Sequence, residues 1–140
     1  MKKIVFVILI VLLVMSCGKK EAVKKISHES QLAQESFALA ETVRQAFEKG
    51  DLGIIKINST EAGYADITSN ERAYDRVGLV FTPRWVEIED ENVSLNIAWK
   101  GTWTADDMIA QESGMAIFLM EGTPLKVTKI LRANPFVFPK

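Results

Sequence analysis

Hydrophobic positions recur with a helical period in the first half of the chain and with a period of two in the second. From His28 to Lys49, the residues Leu32, Ala33, Phe37, Leu39, Ala40, Val43, Ala46 and Phe47 recur three and four apart, with small Ser36 among them. Glu29, Gln34, Glu41, Arg44, Gln45 and Glu48 fall mostly off that stripe, as on an amphipathic helix. Ser27 predicts its N-cap, Glu29 suits the positive end, and Gly50 predicts a left-handed stop. Asp51 predicts the cap of a short second helix through Ile54 and Ile55 towards Ile57. Residues 58–77 are polar and less patterned. Thr68, Ser69 or Asn70 predicts the cap of a third helix holding Glu71 to Arg76. Leu79-Val80-Phe81 either ends that helix or begins a strand. The helical reading is preferred, because Pro83 disfavours helical geometry at Thr82 and marks a boundary.

Beyond Pro83 the period changes. Val86 and Ile88 share one face, opposed by Glu87 and Glu89, and Asp90-Glu91-Asn92 is turn chemistry. Val93, Leu95, Ile97, Trp99 and Trp103 then share one parity with Gly101 between the last two, opposed by Ser94, Asn96, Ala98, Lys100 and Thr102. A polar bend falls at Thr104 to Asp107. Residues 113–121 are apolar on both parities, which predicts a central strand covered on both sides. Gly122-Thr123-Pro124 turns the chain and residues 125–132 return, before a closing Asn134-Pro135-Phe136. Helices first and a four-strand meander after them is an α+β order.

The first 17 residues form a unit of another kind. Lys2-Lys3 precede a 12-residue apolar run, Ile4 to Met15, that ends on Val14-Met15-Ser16-Cys17. A membrane-spanning helix needs about 20 apolar residues, so 12 suits the core of a signal peptide. The last four residues resemble a bacterial lipobox, although Met15 is a less usual residue there. The small side chain of Ser16 suits the peptidase, and the Cys17 thiol would become the thioether to diacylglycerol. The expected organisation is a signal peptide at 1–16, a lipidated cysteine and tether at 17–27, and one domain at 28–140. A fatty acid such as palmitate at Cys17 would hold the chain to a bacterial cell membrane or outer membrane, with the domain outside the cytoplasm.

Cys17 is the one cysteine, so the mature domain has no disulfide and no thiolate for a metal. Removing residues 1–16 leaves 15 basic against 18 acidic residues, a formal −3. That balance argues against a nucleic-acid partner, which calls for a concentrated basic surface. Lys19, Lys20, Lys24 and Lys25 lie close to the lipid, where they suit anionic headgroups or a solvated tether.

Three stretches carry a family resemblance: Ala46-Phe47-Glu48-Lys49-Gly50-Asp51-Leu52, then Gly63-Tyr64-Ala65-Asp66 ahead of Asn70-Glu71-Arg72, then Ile130-Leu131-Arg132-Ala133-Asn134-Pro135-Phe136. Over residues 30–137 they resemble small secreted members of the nuclear-transport-factor-2-like superfamily, which includes SnoaL-like cyclases, ketosteroid isomerases and many non-catalytic binding proteins. The resemblance implies N-terminal helices packed on a curved four-stranded antiparallel sheet, cone-shaped and cystatin-like, around a pocket. The residues 52–82 depart from the family pattern.

Tyr64 and Asp66 are the best catalytic pair under that resemblance, an acidic base with a phenolic donor, for an isomerase or hydro-lyase. A Tyr-x-Asp in a polar loop is more often structural, with Asp66 bonding local backbone N–H groups, and that is the plainer reading. Trp85, Trp99 and Trp103 are either core or an aromatic wall for an apolar ligand, with Trp99 expected deeper than Trp103. Arg84 and Arg132 are candidates for a carboxylate, with ion pairs to Glu87 or Glu89 as the plainer reading. His28 is the lone histidine, at a helix start, and Asp106-Asp107 lacks the further oxygens of a calcium site, so no metal or cofactor is expected. The reading that results is a non-catalytic envelope lipoprotein binding a small apolar ligand or an envelope protein. The alternatives are a small enzyme using Asp66 and a structural or assembly lipoprotein, with a homodimer through the sheet left open.

Overall fold

The computed structural model describes residues 25–70 and 73–139. The expected signal peptide, Cys17 and most of the tether lie outside the described residues, as do Glu71 and Arg72. Lys25, Ile26 and Ser27 are exposed and non-helical.

Helix α1 spans His28–Lys49. The Ser27 hydroxyl accepts from Ser30 N–H at 3.2 Å, and Gly50 closes the helix at φ 69°. Leu32, Ser36, Leu39, Ala40, Val43, Ala46 and Phe47 are its buried face, whereas Phe37 is exposed. Helix α2 spans Leu52–Ile57, with the Asp51 carboxylate accepting from Ile54 N–H at 3.1 Å.

Helix α3 is Glu61–Thr68, capped by Thr60, whose hydroxyl accepts from Gly63 N–H at 3.2 Å. The third helix therefore lies about ten residues before the expected place. Ala73, Tyr74 and Asp75 are not helical, and Arg76 already begins a strand. Gly63 reads as a helix breaker, but packing requires it. A Cβ there would sit 2.1 Å from the Val127 carbonyl oxygen.

Four antiparallel strands follow in the order β1-β2-β3-β4: Arg76–Glu89, Asn92–Ala105, Met108–Glu121 and Lys126–Arg132. Leu79-Val80-Phe81 is strand, not helix: Val77 and Leu79 are buried while Gly78 and Val80 are exposed. Pro83 lies inside β1 and ends nothing. β1 is an edge strand, where a missing N–H is tolerated, and the register shifts between Pro83 and Trp85. The first two hairpins turn at Asp90 (φ 57°) and at Asp106-Asp107 (φ 48° and 63°). The third carries a cis Thr123–Pro124 bond.

On β2, Val93, Leu95, Ile97, Trp99 and Trp103 all face the core, as their parity predicts. β3 begins at Met108, earlier than expected, and is fully covered on one face only. Ala116, Phe118 and Met120 are buried, whereas Met115, Ile117 and Leu119 are half-buried on the other side.

Polar side chains take up the backbone groups of the sheet's edges. On β1, Glu48 Oε1 accepts from Leu79 N–H at 2.6 Å and Arg44 Nη1 donates to the Leu79 carbonyl at 2.8 Å. Arg44 also donates to Glu48 at 2.7 Å and, through Nη2, to Glu41 at 2.5 Å. On β4, Val127 N–H donates to the Asn58 carbonyl at 3.0 Å, Thr60 N–H donates to the Val127 carbonyl at 2.9 Å, and Asp66 accepts from Ile130 N–H at 2.9 Å.

Gly63→Ala should destabilise the domain. Alanine gains about 1 kcal/mol of helix propensity. Overpacking against backbone costs about 1–3 kcal/mol or more, and here the contact is a carbonyl that cannot rotate away. A net loss of about 1–2 kcal/mol is expected in a urea melt, and an unchanged midpoint would contradict the close approach. A second expectation concerns acid. The Arg44 hydrogen bond holds the Glu41 carboxyl down at about 2, below its ordinary 4.5. A folded-state value below the unfolded one stabilises above pH 4.5, and that contribution is lost as pH falls towards 2. Glu41 is half-exposed, so solvent screening limits the contribution to about 1 kcal/mol. Glu41→Gln should flatten this part of the stability–pH curve, and an unaltered curve would count against the pair.

Candidate functional site

The concave side of the sheet is filled by the chain's own aromatic rings. Phe136, from the C-terminal segment, is fully buried with ring centroids 4.8 Å from Phe47, 5.9 Å from Phe81 and 6.0 Å from Phe118. Trp103 stands at 4.8 Å and 90° to Tyr74, 5.9 Å from Phe47 and 5.4 Å from Phe138. Burial pushes the Tyr74 phenol above its ordinary value.

Three polar side chains fasten the segment that supplies these rings. Asn134 Nδ2 donates to the Asp66 carbonyl at 2.7 Å, and Asn134 Oδ1 accepts from Phe136 N–H at 3.0 Å. The Asn70 amide donates to the Phe136 carbonyl and accepts from Phe138 N–H at 2.7 Å, so it pairs with the segment as a strand residue would. The Trp99 indole N–H donates to the Ala133 carbonyl at 2.9 Å.

Trp103 is 0% exposed and Trp99 2%, and Trp99 lines two surface hollows while Trp103 lines neither. The expected depth order is thus reversed, because the rings of Tyr74 and Phe138 cover the outer end of β2. Gly101 permits a close approach: a Cβ there would lie 3.0 Å from Trp103 Nε1 and 3.1 Å from Leu79 Cδ2. Trp103 Nε1 is a buried donor with no hydrogen-bond partner among the described residues.

The other candidate residues are spread out. Tyr64 and Asp66 stand two apart on α3, so their side chains diverge. Tyr64 packs on the core, and one Asp66 oxygen is engaged by Ile130 N–H. Trp85 is 48% exposed, just past the register shift. Arg84 and Arg132 are exposed on β1 and β4, the opposite edges of the sheet, and are not brought together. The ion pairs among the described residues join Arg44 to Glu41 and Glu48. His28 is exposed at the first position of α1, and no group of three His, Cys, Asp or Glu suited to a metal occurs among the described residues. Asp106 and Asp107 form a hairpin turn, with Asp106 N–H donating to Asp75 at 3.1 Å.

The largest described hollow, about 600 Å³, is an open groove between β3 and the C-terminal segment. Trp99, Gln111, Glu112, Asn134, Val137 and Phe138 are among its walls. A second hollow of about 400 Å³ continues along the same edge and shares Phe138 and Pro139. Sequence reasoning did not find this groove. Its only signal was the excess length of β3 over β4, which depends on knowing that β3 starts at Met108.

No family model matches the chain, and no curated protein matches it. A solved structure does: a nuclear transport factor 2 (NTF2-like) superfamily protein from Salmonella enterica serovar Typhimurium, with a TM-score of 0.65. It is 12% identical, and the match covers 76% of this chain and 93% of that one. The fold is NTF2-like. The cone of that fold is present, and aromatic side chains occupy it.

Truncating the two tryptophans tests the reversed depth order. Trp103→Ala should cost about 3–5 kcal/mol, as for other buried aromatics. Trp99→Ala should cost less, because Trp99, although only 2% exposed, stands beside the open groove, whereas Trp103 is enclosed by Phe47, Tyr74 and Phe138. Denaturant melts of both variants would check this, and a greater loss for Trp99→Ala would restore the sequence-based order.

Proposed function

We propose that the mature chain is a lipid-anchored, non-catalytic binding domain of the bacterial cell envelope, and that it engages another envelope protein. The observation that carries the second part is the filled cone. A small ligand in the cone would have to displace Phe136, whose ring is held by rings on three sides and whose carbonyl accepts from the Asn70 amide. An acid–base site needs a carboxylate free to meet substrate in a pocket. Here the candidate carboxylate of Asp66 holds β4, and the hollows large enough for a partner are open grooves. The lipid anchor is supported by Lys2-Lys3, the short apolar run and Val14-Met15-Ser16-Cys17.

Metabolic palmitate labelling tests the anchor. The wild-type chain should carry label, and Cys17→Ser should carry none and retain its signal peptide. Equal label in both would end the idea. Photo-cross-linking in cells, from several exposed positions of the full chain, should join it to one discrete envelope protein. A stoichiometric small molecule in the native mass spectrum, with no cross-linked protein, would overturn the protein-binding reading in favour of an apolar ligand.

A further inference from the structure

Among the described residues, the first part of β3 has no strand beside it on the side away from β2. β4 pairs with β3 only as far as Ala116, opposite Arg132, and then turns away at Arg132 with φ 66°. Ala133 N–H donates to the Met115 carbonyl at 3.1 Å, the last bond on that side. In an antiparallel ladder alternate residues turn their N–H and C=O to the same neighbour. Ile109, Gln111 and Ser113 therefore present theirs where Met115 does, and they make no hydrogen bond there among the described residues. The outer edges of β1 and β4 carry protection that this stretch lacks. Leu79 is held by Arg44 and Glu48, and β1 is further interrupted by Pro83 and a register shift. Val127 and Ile130 are held by residues 58–60 and by Asp66. Proline, bulges and covering groups are the usual protection of an edge, and among the described residues β3 has none of them from Met108 to Ser113; its one inward-pointing charge is Glu112.

We propose that this edge accepts an extended strand from the partner protein, added antiparallel to β3 in the lane that β4 vacates. The proposal rests on the reading of the chain as a protein-binding domain. The lane is the pair of hollows of about 600 and 400 Å³, long enough to seat several side chains. Their walls define the guest. Ala110 and Glu112 point to the inner face on this stretch, the same parity as buried Ala116. A guest residue opposite Ala110 meets Ala110, Phe138 and Pro139, and should be apolar. The guest residue two positions earlier meets the Glu112 carboxylate. It should be basic. Backbone bonds supply the attachment, and the side chains supply the choice of sequence.

The probe is a fluorescent peptide with the sequence of residues 126–132, Lys-Val-Thr-Lys-Ile-Leu-Arg, which has a basic residue two before a leucine and which β3 already accepts as a strand elsewhere. Titrated against the full mature chain, it should bind saturably and slow amide exchange at Ile109, Gln111 and Ser113. Gln111→Pro removes an N–H that faces the lane and not β2. It should weaken binding at least tenfold with little change in melting temperature. Glu112→Lys, a variant that leaves the backbone alone, should reverse the preference towards a peptide with Glu in place of its central Lys. Equal affinity for wild type and Gln111→Pro, or protection appearing along β1, would overturn the lane. So would self-association through this edge with no peptide bound. If the cross-linked envelope protein is retained by Gln111→Pro, the lane fails while the protein-binding reading stands. If the wild-type chain captures no partner, it is that reading which fails.

Discussion

A long curved sheet must have its concave face covered, and no single helix among the described residues is long enough to do it. Strand β2 has 14 residues, about 46 Å at 3.3 Å each. Helix α1 has 22 residues, about 33 Å at 1.5 Å each. The remainder of the apolar face, around Trp103 and Phe118, is covered by the C-terminal segment through Phe136 and Phe138. Much else follows from that shortfall. The segment must leave the line of β4 to reach the core. Its departure exposes the edge of β3, and its arrival fills the space in which a ligand or substrate would sit.

The polar groups near the core serve the backbone. Asp66, Asn70, Asn134 and the Arg44–Glu48 pair each bond main-chain N–H or C=O groups that have no strand or helix partner. A buried amide left unpaired costs about 1–3 kcal/mol, more than a good hydrogen bond contributes in net terms. Each of these side chains therefore has a structural task that already engages at least one of its polar atoms. The Trp103 indole N–H departs from this economy: it is buried among Phe47, Tyr74 and Phe138 and has no acceptor among the described residues.

What the sequence made legible was what a single local period determines. The stripe of α1, its Ser27 and Gly50 ends, the parity of β2 and the strand order could all be read, because cap chemistry and alternation need no knowledge of distant neighbours. The middle of the chain could not. Gly63 lowers helix propensity, yet only glycine lets α3 lie against Val127. Thr82-Pro83 resembles a helix boundary, yet an edge strand with a register shift has room for it. Leu79-Val80-Phe81 is too short a run for its period to show. The depth of Trp99 and Trp103 depended on where Phe136 and Phe138 return, which is a contact between the two ends of the domain. The groove depended on a mismatch of strand lengths, a property of neither strand alone.

The same geometry bears on how strong an interaction at the groove needs to be. Strand addition over a few residues gives only a handful of backbone bonds, each worth about 1 kcal/mol net, and must offset the ordering of the guest segment. In free solution such a contact is weak. On the proposed reading, the lipid at Cys17 and the tether to Ser27 keep the domain at the membrane surface with any partner in the same envelope. Confinement to one surface raises the local concentration of one site at the other, as linkage does more strongly for joined modules. A short, open β3 edge is then sufficient, and a deep enclosed pocket is not required. The filled cone and the unguarded edge are, in this sense, two outcomes of the one route taken by residues 133–139.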